Sequence, residues 1–333
     1  MVLGLLRGAP ESSNDPFISG QSISNRLGIS RSAVWKHVTA LRAMGYSIEG
    51  SASKGYRLTP GKEAPFNAVE IRSGLRTEFM GRKVYFYKSL GSTNAKAKEL
   101  AGKGAPEGTA VIADSQTGGK GRLGRGWFSP TGVNLYTSLI LRPALDPPKC
   151  QGITLMAAVA CAEAASGWLP KRPSVKWPND ILIGRKKAAG ILMEMDAEAD
   201  RVNHIILGIG FNLNMTPDML PKDLRGAAAS IMENTGRTVD RAAFARVLYS
   251  CLEKWYKVFV DEGIGPVLSA WKGYFDMEGR PVRVNSFEAV VSGICAGIDT
   301  KGALLIRTAS GRVHRVISGD VEIPRKSRGE FDK

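Results

Sequence analysis

Residues 119–127 read Gly-Lys-Gly-Arg-Leu-Gly-Arg-Gly-Trp, and no other stretch limits the chain so strongly. Glycines alternate with three cations, Lys120, Arg122 and Arg125, and no acid occurs from Gln116 to Leu145. Glycine lets a backbone approach an anion closely and take positive φ. Ammonium and guanidinium groups supply charge-assisted donors to carboxylate or phosphate oxygens. Such a run cannot bury itself, because unpaired cations are too costly away from water. The expectation is a loop that is mobile and empty at rest and closes over an anionic ligand. The plainer alternative is a solvated basic loop.

Two further motifs weigh against that alternative. Val175-Lys176-Trp177 reads as a short strand, with Pro178 biasing Trp177 to extended geometry. Asn179-Asp180 reads as a turn, and Ile181-Leu182-Ile183 resumes a strand. Lys187 to Leu192 then reads as a strand that starts on a lysine. Downstream, Ile205-Ile206-Leu207 leads into Gly208-Ile209-Gly210-Phe211-Asn212. A lone Gly-x-Gly is weak evidence, and no third glycine follows at dinucleotide-binding spacing. A bulge or a close crossing would explain it equally well.

Taken together, the chain resembles the biotin protein ligases, specifically the bifunctional bacterial form that also represses the biotin operon. The resemblance rests on Ser92-Thr93-Asn94, Gln116, Gly119 to Trp127, Lys176 to Asp180, Lys187 to Leu192 and Gly208 to Asn212. Order and spacing agree over nearly the whole chain. One departure is Lys120, where the family has the first arginine of its loop; the charge is kept and the bidentate fork is lost.

At 333 residues the chain is long enough for two or three domains. A formal charge of +15 calls for anionic partners, without distinguishing nucleic acid from nucleotide or acidic protein. Cys150, Cys161, Cys251 and Cys295 lie far apart, and His37, His204 and His314 form no ligand cluster, so reduced thiols are expected rather than a metal or redox centre. The first seven residues are too short and too early-charged for a signal peptide. The apolar run 153–169 holds Glu163 and many alanines, which suits a buried helix better than a membrane span. No membrane association and a cytoplasmic location are expected.

The expected fold is α+β in three domains. Residues 1–64 form a winged helix-turn-helix. Ser22–Leu27 is a short helix, Ser30 caps a second over 31–44 with Val34, Val38 and Leu41 inward, and 46–48 with 56–58 form a hairpin. Ser30, Arg31, Ser32, Trp35 and Lys36 are the candidate base or groove contacts, with Lys54 and Arg57 reaching phosphates from the wing. Eight cations against four acids in this segment favour DNA modestly. A winged helix used for protein contacts alone, or kept as a remnant, is the competing reading. Pro60–Pro65 is a linker. Residues 65–276 form the central mixed-sheet domain, which the resemblance implies is class II synthetase-like. Residues 277–326 form a small β domain, implied to be an SH3-like barrel.

The resemblance implies two half-reactions: biotin and ATP, with Mg²⁺, give biotinyl-5′-AMP, and a lysine of a biotin carboxyl carrier protein then takes the biotin. Arg122, Lys187 and Lys176 are the candidate catalytic cations. Ser92, Thr93, Asn94, Gln116, Gly119 and Lys120, with Arg122 and Lys187, are the biotin-binding candidates. Arg122, Arg125, Trp127, Lys176, Asn179 and Asn212 are those for the nucleotide, and Asp180 is the candidate Mg²⁺ ligand. Ser92 is equally readable as a helix cap. Operator DNA and a ligand-promoted homodimer are the further implied partners. Rival readings are a lipoate-type ligase, for which the polar biotin set would be idle, and a biotin-responsive repressor without catalysis, which would not need both Arg122 and Lys187.

Overall fold

In a computed structural model, residues 1–8, 17–59, 65–286 and 289–323 are described. They divide into two compact units, Met1–Gly74 and Leu75 onward. Among the described residues, no helix is long and apolar enough to cross a membrane.

The first unit comprises α1 (Val2–Arg7), α2 (Gly20–Leu27), α3 (Arg31–Ala43), the hairpin β1 (Ile48–Ser51) and β2 (Gly55–Leu58), and α4 (Ala68–Arg72). Gly28, at φ 62°, ends α2 in the left-handed region, where a side chain would be strained. Ser30 then caps α3 by accepting from the Ala33 N–H at 3.2 Å. Val34, Val38 and Leu41 share the inward face of α3 and pack with Leu3, Leu6, Ile23 and Ile48. The winged helix-turn-helix expected from sequence is present. The unit also continues past residue 64, because buried Glu70 on α4 accepts from Arg7 Nη2 at 2.6 Å and from Tyr46 Oη at 2.8 Å. Residues 60–64 of the expected linker lie outside the described residues.

The second unit holds a seven-stranded mixed sheet, ordered β3-β4-β5-β9-β8-β7-β6. Its strands are β3 (Val84–Tyr87), β4 (Ala110–Ala113), β5 (Leu135–Leu141), β6 (Ser174–Lys176), β7 (Asp180–Ile183), β8 (Lys186–Ala197) and β9 (Val202–Phe211). The β3–β4 pair is parallel, and the other pairs are antiparallel. α5 (Thr93–Gly102) packs over β5 and β9 through Ala97 and Ala101. α6 (Gly152–Ser166) is buried on nearly all sides. It meets α8 (Arg241–Glu262) and α9 (Ile264–Lys272), with α7 (Ile231–Thr235) a short capped turn.

The chain ends in a five-stranded antiparallel sheet, ordered β13-β12-β11-β10-β14. Its members are β10 (Pro281–Asn285), β11 (Val290–Ile298), β12 (Leu304–Arg307), β13 (Val313–Val316) and β14 (Asp320–Glu322). This is the β-rich third domain expected; residues 324–326 of its expected span lie outside the described residues. Trp177 joins it to the central domain by donating from Nε1 to the Gly302 carbonyl at 3.0 Å.

Candidate functional site

The three central strands build the floor. Gly208 on β9 lies between Ser138 on β5 and Leu192 on β8. Two residues on, Gly210 faces Gly190 directly. A Cβ on Gly208 would stand 2.1 Å from Asn94 Oδ1, and one on Gly210 would stand 2.4 Å from Trp127 Nε1. A Cβ on Gly190 would meet Trp127 at 2.9 Å and Lys187 at 3.1 Å. The Gly-x-Gly motif is therefore a close-approach surface, bare so that side chains from elsewhere can lie on it.

A cavity of about 220 Å³ opens above this floor. It brings together Ser92, Thr93, Asn94, Gln116, Lys120, Arg122, Arg125, Trp127, Asn179, Asp180, Lys187 and Asn212. Gly119 and Lys176 stand behind this lining. A Cβ on Gly119 would be 2.5 Å from the Trp127 carbonyl, and Lys176 Nζ is 3.9 Å from Asp320, which does line the cavity.

At one end the lining is neutral and polar. Ser92 caps α5 and also lines the cavity, so the capping bond does not withdraw it from the cavity wall. Gln116 Oε1 accepts from the Thr93 N–H at 2.8 Å, while its Nε2 donates to Ser129 Oγ at 3.0 Å. Asn94 Nδ2 donates to Glu194 at 2.6 Å, and its Oδ1 accepts from Ser138 at 2.6 Å. Ser129, Ser138 and Glu194 were not singled out in the sequence; their signal is slight, such as the polar Thr137-Ser138 pair inside the apolar strand β5.

At the other end the lining is cationic. The glycine-rich loop is not an open strap here but a small hairpin. Gly121 N–H donates to the Arg125 carbonyl at 2.7 Å, and Trp127 N–H to that of Gly119 at 2.9 Å. Its tip turns through Leu123 at φ 56° and Gly124 at φ 73°, a strained geometry for leucine. The cations are held because acceptors come from outside the loop. Arg122 donates to Asn179 Oδ1 at 2.8 Å and to the Gly319 carbonyl at 3.1 Å. Arg125 donates to Asp320 Oδ2 at 2.7 Å. Burial lowers the Arg122 pKa, against the pull of Asp180 and Asp320, whereas the Asp320 hydrogen bond raises that of Arg125.

Lys187 Nζ lies 2.7 Å from Asp180 Oδ1, without the alignment of a hydrogen bond, and 5.2 Å from the Trp127 ring centre. Asp180 is thus matched to a lysine. Among the described residues, no group of three or more His, Cys, Asp or Glu could hold a metal ion. The donor set does not fit a resident Mg²⁺. The Asn179 amide is spent on Ile191 and Arg122, which makes it a support for the arginine rather than a free ligand. Asn212 contacts the Lys187 carbonyl and Asn134, each at 3.4 Å. A second cavity, of about 870 Å³, shares Arg122 and Ile191 with the first.

In the first unit, Arg31, Ser32, Trp35 and Lys36 are exposed along the outer side of α3, with Trp35 57% exposed. Ser30 is engaged as a cap. In the wing, Arg57 pairs with Glu49 and lies 4.7 Å from the Phe17 ring. Lys54 lies 5.9 Å from the same ring.

Comparisons with known proteins agree with this division. A model of the biotin/lipoate A/B protein ligase family matches residues 86–212. A helix-turn-helix domain model matches 12–57, and a biotin protein ligase C-terminal domain model matches 279–323. The chain is 43% identical over 309 residues to the bifunctional ligase/repressor BirA of Bacillus subtilis, covering 92% of this chain and 94% of that protein. It is 32% identical over 310 residues to the Escherichia coli protein of that name, covering 93% and 94%. The Aquifex aeolicus biotin protein ligase, solved with biotin and ATP, superimposes with a TM-score of 0.63 at 28% identity, covering 73% of this chain and 99% of that one.

Proposed function

The chain belongs to the bifunctional biotin protein ligase and repressor family, and from that membership we propose how its own residues divide the work. It is an ATP-dependent biotin protein ligase that carries a DNA-binding repressor domain. The observation that carries the residue assignment is the meeting of Arg122, Arg125 and Lys187 with Ser92, Thr93, Asn94 and Gln116 around one cavity.

Biotin offers a neutral ureido ring and a carboxylate. The ring takes directed hydrogen bonds from the Ser92–Asn94 and Gln116 end, and the carboxylate points toward Arg122 and Lys187. Its oxygen attacks the α-phosphate of ATP, the bond to the β-phosphate breaks, and pyrophosphate leaves with Mg²⁺ as part of the nucleotide substrate. Bringing the two anions together without counter-charge would add on the order of several kcal/mol to the barrier. Arg122, Lys187 and Lys176 supply that charge without forming a bond, Arg125 grips the nucleotide, and the hairpin with Trp127 shields the anhydride from water. A neutral lysine amine of the acceptor then attacks the acyl carbon, the amide forms, AMP leaves and the amine loses its proton. The second cavity, which shares Arg122 and Ile191 with the first, supports an approach for that lysine.

For the repressor, Arg31, Ser32, Trp35 and Lys36 enter the groove of operator DNA, and Lys54 adds a wing contact. A ligand-promoted homodimer and a cytoplasmic location complete the reading. The test is incubation with biotin, MgATP and a carboxyl-carrier domain, read as the mass of the carrier lysine. A repressor without catalysis gives no biotin-dependent pyrophosphate exchange. A lipoate-type ligase prefers lipoate in the same assay.

A further inference from the structure

Two carboxylates stand among the cavity's cations, and they arrive from opposite directions. Asp180 belongs to the central sheet beside Lys187. Asp320 belongs to the C-terminal sheet, where β14 fixes its backbone opposite Asn285 of β10. Its oxygens are divided between two cations: Oδ2 accepts from Arg125 at 2.7 Å, and Oδ1 lies 3.9 Å from Lys176 Nζ. The preceding carbonyl, that of Gly319, accepts from Arg122 at 3.1 Å. One turn of the C-terminal sheet thus presents negative atoms to three cations assigned above to the carboxylate and phosphates. The Asp320 side chain is 22% exposed and lines the cavity itself.

An anion in that position does electrostatically what a phosphate oxygen would do. It keeps flexible cationic side chains extended toward the site, and it must share them with, or yield them to, any phosphate that arrives. We propose that Asp320 is a positioning residue, the internal counter-ion of the phosphate site, which competes with nucleotide and pyrophosphate for Arg125 and Lys176. The proposal rests on the functional reading above and adds a residue to it. A triphosphate carries more charge than one carboxylate and wins the exchange. Once pyrophosphate has been cut free, the waiting carboxylate reclaims the cations and hastens its departure. Without Asp320 the site gains net positive charge and releases its product less readily.

The test uses the full chain with Asp320→Asn, which removes the charge at nearly constant shape, and Asp320→Glu, which keeps it. Inorganic pyrophosphate and ATP are titrated separately, each with Mg²⁺ and saturating biotin. For Asp320→Asn the expected result is about a tenfold lower Kd for pyrophosphate, a lower KM for ATP, and a lower kcat as product release becomes limiting. Asp320→Glu should restore the pyrophosphate Kd to within about threefold of wild type. A purely structural role would instead lower Tm and weaken binding of both ligands. Unchanged or weaker pyrophosphate binding by the Asn variant, with a functional wild type, overturns the counter-ion alone. A wild type that binds neither ligand overturns the functional reading and the counter-ion with it.

Discussion

Gly208 and Gly210 act by what they lack. Each leaves room that Asn94 or Trp127 already fills, so any side chain there pushes a cavity-lining side chain out of place. Gly208→Ala should raise the KM for biotin at least tenfold, roughly the effect of losing one well-placed hydrogen bond, while circular dichroism stays native. An unchanged KM would mean that Asn94 does not hold biotin. Arg122→Gly removes the donor held between Asn179 and Gly319 and opens the cavity wall. Free biotinyl-5′-AMP should then accumulate outside the protein, measured after rapid filtration; wild-type retention would count against Arg122 as a clamp. Most of this constellation was readable because its residues are chemically conspicuous: cations amid glycines, and amides after a strand. Asp320 was not. A single acid in a Gly-Asp pair is ordinary turn chemistry, and its meeting with Arg125 is a long-range fact. Ser138 escaped for a similar reason, being one hydroxyl in a strand otherwise built to be buried.

Helices with one apolar face were legible as elements, and α3 follows its periodicity closely. α9 was not foreseen, because Gly263, Gly265 and Pro266 look like breakers; in the structure the proline falls in the first turn, where its missing N–H is harmless. β14 is only three residues long and has no pattern to read. α8 contributes a connection that sequence hides as well. Glu253 accepts from the backbone N–H groups of Glu78, Phe79 and Met80 at 2.7, 2.9 and 3.0 Å. Burial raises its pKa, but those bonds outweigh it and the net shift is downward. A folded pKa below the unfolded one stabilises above the unfolded pKa, and the gain is lost as pH falls through the folded value. Glu253→Gln should therefore cost about 1–2 kcal/mol at pH 7, and in urea melts the gap should narrow as pH falls below the ordinary glutamate range and close below the lower folded value. A gap independent of pH would refute the ionic account. On α3, Lys36→Ala should weaken operator DNA binding and reduce the slope of log K against log salt by about 1; unaltered affinity and slope would remove Lys36 from the groove contacts.

For the molecule as a whole, the helix-turn-helix match falls in one unit and the ligase match in the other, within a chain of net charge +15. If adenylate favours a dimerising state by its differential affinity, sedimentation with biotin and MgATP should show twice the monomer mass. Biotin with a non-hydrolysable nucleotide that cannot form the intermediate should leave the monomer. Equal association under both conditions would disconnect assembly from the chemistry.

The crossing of Gly319 and Asp320 onto the arginine hairpin has a practical corollary for protein engineering. A fragment stopped at residue 276 would retain all seven strands of the central sheet, yet its hairpin would have lost the far anchor of both Arg122 and Arg125. If the hairpin retains the acyl-adenylate as proposed, such a minimal version should leak it and label bystander lysines, read as biotin on an added bystander protein. Any chimera that swaps the final sheet must therefore carry over that one turn intact.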